Sequence, residues 1–116
     1  MTLEQWKQNG WLKVEPTSSA EIANLLAIVE RDLEDAKSSI SADWRFGIAY
    51  NAALKLCTIL LRAEGYRPSH GLQHYRTIMA VPLTLTLYKK HVSTTSRVIL
   101  ISVSAHFERC CRIHYW

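Results

Sequence analysis

Apolar residues along the first two-thirds of the chain recur at helical rather than strand spacing. Ile22, Leu26, Val29, Leu33, Ala36 and Ile40 step by 4-3-4-3-4 and lay one seam along a helix. Asn24, Glu30, Arg31, Glu34, Asp35 and Lys37 fall largely off that seam. Ser18-Ser19-Ala20-Glu21 reads as a capping box, in which the serine hydroxyl satisfies an orphan amide and Glu21 reaches back. Cap and seam together predict an amphipathic helix over residues 19–39.

From Trp44 to Ala63 the polarity inverts. Asn51, Lys55, Thr58 and Arg62 form a narrow polar stripe, and nearly everything else is apolar. A helix apolar around most of its circumference has to be covered on several sides. It is therefore the central helix of a bundle or part of a dimer interface, with Trp44, Phe46 and Tyr50 expected in the core and Asn51 expected as a hydrogen-bonded core or interface residue. Ser41 and Asp43 suit its start. Gly65 suits a left-handed stop, Tyr66 the hydrophobic contact behind it, and Pro68 bars continuation.

Ahead of these helices, Glu4 to Gly10 predicts a short helix stopped by Asn9-Gly10, and Trp11, Leu12 and Val14 follow as core anchors. Beyond them, Ser69 suits the cap of a third long element carrying Leu72, Tyr75, Ile78 and Met79, limited by Pro82. After Pro82 the character changes. Leu83-Thr84-Leu85-Thr86-Leu87-Tyr88 alternates with period two and Val98 to Val103 is β-branched, so residues 83–116 form an atypical tail, strand-like or irregular by local propensity. The fold class is thus all-α, an up-and-down antiparallel bundle in a single domain over 1–116.

Composition changes this picture little. Hydrophobic residues at 48% and charged residues at 21% are globular values that argue against disorder. No uninterrupted apolar run reaches the roughly 18 residues of a membrane span, and Met1 to Gln5 does not resemble a signal peptide. Cys57, Cys110 and Cys111 cannot form an even disulfide framework, which points to the reducing cytoplasm. Charge changes it more. Residues 1–43 carry eight acids against Lys7, Lys13, Arg31 and Lys37, a net −4. Residues 44–116 carry ten Lys or Arg against Glu64 and Glu108, a net +8, which permits a basic face attractive to phosphates.

The string Asp43 to Leu54, followed by Ala63-Glu64-Gly65-Tyr66-Arg67-Pro68-Ser69-His70-Gly71-Leu72-Gln73-His74-Tyr75-Arg76-Thr77, resembles one branch of the HEPN family. The opening Trp6-Gly10-Trp11-Leu12 and the Glu21-Ile22…Leu25-Leu26…Arg31-Asp32-Leu33 helix share the likeness, which covers residues 1–83. The resemblance implies a helical bundle that dimerises. It also implies one of two roles: a ribonuclease of toxin type, or a non-catalytic binding module such as the partner of a nucleotidyltransferase. The family carries an Arg-x4–6-His motif on a late helix, and Arg109-Cys110-Cys111-Arg112-Ile113-His114 fits it by spacing. Cys110 replaces the polar residue expected after the arginine, and residues 90–105 depart from the family, as a frame-altered or truncated tail would.

In a metal-free ribonuclease, His114 would take the 2′-hydroxyl proton and Arg109 would stabilise charge on the phosphate. Arg67, His70, His74 and Arg76, set beside Tyr66 and Tyr75 at a helix start, suit phosphate and base contacts. The same pattern suits packed tyrosines with solvated cations. His106, Cys110 and His114 recur every four residues but find no fourth ligand at a zinc-site interval, so neither a metal nor a cofactor is expected. The expectation for function is a HEPN-like homodimer that binds or cleaves RNA or nucleotides, with no membrane contact. The alternative is a non-catalytic dimeric partner module.

Overall fold

The computed structural model describes residues 2–84 and residues 105, 106, 108 and 109. Helix α1 (Leu3–Gln8) opens on a reciprocal capping box. The Thr2 hydroxyl accepts from the Gln5 amide at 3.2 Å, and the Gln5 side chain accepts from the Thr2 amide at 2.8 Å. Gly10, at φ +77°, turns the chain into β1 (Leu12–Val14).

Helix α2 (Ser19–Ala36) is capped by Ser18, whose hydroxyl accepts from the Glu21 amide at 3.2 Å. Only half of the expected capping box forms. The Glu21 carboxylate takes the Thr17 hydroxyl and the Arg62 guanidinium instead, because a cation outcompetes a neutral amide for it. The helix ends three residues before the expected boundary, at Ala36, where Arg45 Nε takes the Ala36 carbonyl at 3.1 Å.

Helix α3 (Ala42–Ala63) is capped by the Ser41 hydroxyl on the Trp44 amide. Arg45 meets the end of α2, Lys55 pairs with Asp32 mid-helix, and Arg62 pairs with Glu21 at the start of α2. That order makes α2 and α3 antiparallel. Between them Ile22, Val29, Leu33, Ala36, Ala49, Ala52, Leu56, Ile59 and Leu60 form one buried cluster, with Leu26 and Ile48 packed on its margin. Burying a side chain such as Leu33 or Val29 completely is worth roughly 1.5–3 kcal/mol.

Gly65, at φ +85°, stops α3 as its position before Tyr66 and Pro68 predicted. The chain then forms β2 (Tyr66–Pro68), which pairs antiparallel with β1, Leu12 opposite Pro68 and Val14 opposite Tyr66. This small sheet has no counterpart in the sequence expectation, since three residues are too few to show a period. It carries α1 onto the back of α3, where Leu3, Trp6, Leu12, Leu61 and Ala80 form a second buried cluster.

Helix α4 (Gln73–Met79) differs from expectation at both ends. Ser69 does not cap it: Ser69 is buried and its amide donates to the Trp11 carbonyl at 2.9 Å, continuing the sheet. The position before Gln73 is Leu72, in the left-handed region at φ +49° with no side-chain cap. Residues 81–84 are helical, so Leu83 and Thr84 do not begin a strand; Thr84 is buried and its amide reaches the Ala80 carbonyl. The rest of the expected strands lies outside the described residues, while 105, 106, 108 and 109 are helical. Among the described residues the fold is mostly α, with four helices and one two-stranded sheet.

One expectation about α3 is corrected. Trp44, Phe46 and Tyr50 are 72%, 53% and 47% exposed rather than part of the core, and Asn51 likewise lies outside the core of the single chain. The second cluster reaches α3 at Leu61, near its far end, so the back of its first half is not covered by α1 or the sheet. Moreover, α3 is by length and mean hydropathy (1.2) apolar enough to cross a membrane. Its apolar face nevertheless packs on α2, and Lys55 and Arg62 hold carboxylates along its length, an arrangement compatible with a soluble protein.

Candidate functional site

The chemistry-bearing residues gather in two places. On the outer side of α2, Glu30 and Glu34 sit one turn apart, off the apolar seam. His106 Nε2 lies 3.1 Å from Glu30 Oε2, Arg109 reaches the same oxygen, and its second nitrogen is 3.3 Å from Glu34 Oε1. Lys37 Nζ reaches the same Glu34 oxygen at 3.0 Å. The guanidinium of Arg109 holds the Glu30 carboxyl below its ordinary value against the opposing effect of burial, and the His106 ring adds a smaller lowering. Arg109 therefore enters an ion network that already contains two carboxylates. The second member of the expected pair, His114, lies outside the described residues, as do Cys110 and therefore most of the four-residue His/Cys stripe.

The second place is the turn from β2 into α4, where the four basic residues expected to meet a ligand have separate fates. Arg67 Nε donates to Glu15 Oε2 at 2.9 Å, inside a network that also joins Arg62 to Glu15 and Glu21. The Arg76 guanidinium lies 5.1 Å from the centre of the Trp11 ring, a cation–π contact, and Trp11 in turn meets Trp6 edge-on at 5.5 Å. His70 and His74 are exposed. The tyrosines also diverge. Tyr66 packs on the second cluster, and its hydroxyl reaches Glu4 at 3.2 Å. Tyr75 is 59% exposed. Gly71, Leu72, Gln73, His74 and Tyr75 border an open hollow of about 500 Å³.

The partners Glu30, Glu34 and His106 were not expected, although the signal was present. Two acids one turn apart on α2 face a basic C-terminal half, and His106 precedes Arg109 by three, the spacing that puts both on one helical side. The Trp11–Arg76 stack had no such signal, because it depends on the sheet.

The chain matches no protein-family model, no curated protein and no solved structure. The HEPN likeness therefore rests on the quoted residues alone.

Proposed function

We propose that this protein is a HEPN-like, dimeric binding module of the cytoplasm that engages an anionic partner through its basic half without cleaving it. The observation that carries this reading is the compensation of Arg109 by Glu30 and Glu34. A cation placed to stabilise developing phosphate charge has to direct its donors at the substrate, and these donors are directed at two carboxylates of α2. Dimerisation draws support from the first half of α3, where Trp44 and Tyr50 are exposed and a Cβ at Gly47 would meet nothing within 4 Å. An aromatic, small-residue face of this kind suits close approach of a second helix.

Light scattering tests the dimer, with twice the 13.3 kDa chain mass expected at micromolar concentration and the single mass counting against it. Incubation with single-stranded RNA in the presence of a chelator tests the absence of catalysis, and intact RNA is expected. A second reading, the metal-independent endoribonuclease, draws on the helical state of residues 105, 106, 108 and 109, which sets Arg109 on a helix as the motif requires. Metal-free cleavage abolished by both Arg109→Ala and His114→Ala would establish that reading in place of the first. Under either, the partner class remains RNA, a nucleotide, or a protein such as a nucleotidyltransferase.

A further inference from the structure

Helix α4 carries an apolar stripe on its outside. Leu72, Tyr75, Ile78 and Met79 follow one another at helical spacing and are 67%, 59%, 40% and 46% exposed. None of them belongs to either buried cluster, whereas Thr77 and Ala80 of the same segment are buried and Ala80 joins the second cluster. The stripe begins at a residue in the left-handed region, where a leucine is disfavoured by roughly 1–2 kcal/mol. It borders the hollow formed by Gly71 to Tyr75.

The charges around this stripe select its occupant. No Asp or Glu occurs in the sequence between Glu64 and Glu108. In the turn before α4 and on its first turns, His70, His74 and Arg76 provide N–H donors, and among the described residues Arg76 has the face of Trp11 but no carboxylate. Pairing with a second copy through a two-fold axis would set Arg76 against its own kind, and like charges across an interface are unfavourable. A nucleic acid is the weaker match. Of the four stripe residues only Tyr75 has a π-face on which a base could stack, and Arg67 already serves Glu15. An amphipathic helix with aliphatic anchors at i, i+3, i+4 and i+7 and carboxylates on its flanks satisfies the apolar and the basic parts together.

We propose that the Leu72–Tyr75–Ile78–Met79 stripe of α4 docks an acidic amphipathic helix of another protein. The proposal rests on the binding-module reading and names the partner class for it. Met79 adapts to varied aliphatic anchors, and Arg76 and the histidines orient the incoming helix through its carboxylates.

The test uses the full chain and a fluorescein-labelled synthetic helical peptide with leucines at those four spacings and glutamates elsewhere, compared with a counterpart carrying lysines for the glutamates. Fluorescence anisotropy should show saturable binding of the acidic peptide, at least about tenfold tighter than the lysine peptide. Leu72→Asp and Met79→Asp should each weaken it about tenfold or more, because each sets a carboxylate against glutamates and removes an anchor. Circular dichroism should be unchanged in both, since both sites are exposed; if either unfolds, Tyr75→Ser and Met79→Ser replace them. Equal affinity for the two peptides, no saturable binding, or affinity indifferent to the stripe variants would each overturn the proposal. So would a single-stranded RNA that binds and loses affinity in the same variants, which would assign the stripe to nucleic acid. The dimer mass and the RNA cleavage assay are independent of these outcomes, so failure of the stripe is separable from failure of the module reading.

Discussion

Helices α2 and α4 carry the same kind of apolar repeat with opposite fates. On α2 the seam runs inward, and Val29, Leu33 and Ala36 have no exposed surface left. On α4 the stripe runs outward, and the small residues Thr77 and Ala80 close the core instead. Periodicity identifies a helix in both cases, but it does not say which side of the helix the rest of the chain will cover. What separates the two is their surroundings. The seam of α2 is bordered by Glu30, Glu34 and Asp35, which need water or a cation. The other side of α4 offers two small residues that let it sit close to α3.

Core substitutions should break the comparison most strongly. Leu33→Ala should cost about 2–5 kcal/mol, because the site is enclosed by α3 and cannot collapse freely. The equivalent truncation on α4, Met79→Ala, should stay within about 0.5 kcal/mol. Chemical denaturation of both variants measures the difference, and equal midpoints would mean that the stripe is covered as completely as the seam.

Two of the residues with left-handed backbone, Gly65 and Leu72, sharpen the same contrast. Gly65→Ala should cost roughly 1–2 kcal/mol, since a Cβ in that region is disfavoured although the surrounding space is open. Leu72→Asn should instead raise stability by about 0.5–1 kcal/mol, because asparagine tolerates the conformation that leucine endures there. A leucine at a strained, exposed position fits a role in contact rather than in folding. Thermal midpoints of the two variants that move in the same direction would remove that distinction.

Much of the fold was legible in the sequence because it depends on local rules. The cap at Ser18, the inward seam of α2 with Val29 and Leu33, and the stop at Gly65 all follow from spacing and turn chemistry. The features that were not legible depend on three-residue pairings or on coverage. The β1–β2 ladder takes Ser69 away from its expected cap, and it also brings Trp11 under Arg76. Trp44 and Tyr50 are exposed because α1 and the sheet reach only the far end of α3, a fact of topology that a hydrophobic pattern does not encode. In the candidate site, Arg67, His70, His74 and Arg76 do lie around one turn. Their partners Glu15 and Trp11 come from more than 50 residues earlier in the chain, and no local spacing announces them.

The smallest expected effect concerns the outer side of α2, where charge rather than apolar area makes the contact. Arg109 and His106 lower the Glu30 carboxyl in the folded state, so the unfolded chain takes up that proton first as pH falls. The contribution of the pairing is then fully present above the ordinary carboxylate range and is lost as pH drops through the depressed folded value. Because Glu30 is 46% exposed and Arg109 31%, water screens the pair, and its worth should stay below about 1 kcal/mol. The informative readout is therefore the titration itself, followed by NMR of the Glu30 side-chain carboxyl. Its midpoint should lie below the usual carboxylate range in the native chain and move up toward it in Arg109→Gln, with His106 holding a residual part of the shift. The buried seam residues Val29, next to Glu30 in the chain, and Leu33, about one turn on, have no such dependence, so Leu33→Ala should cost the same on both sides of that midpoint. An identical Glu30 titration in the native and Arg109→Gln proteins would show that the guanidinium is not held by α2. The compensation that argues against a catalytic Arg109 would then be gone.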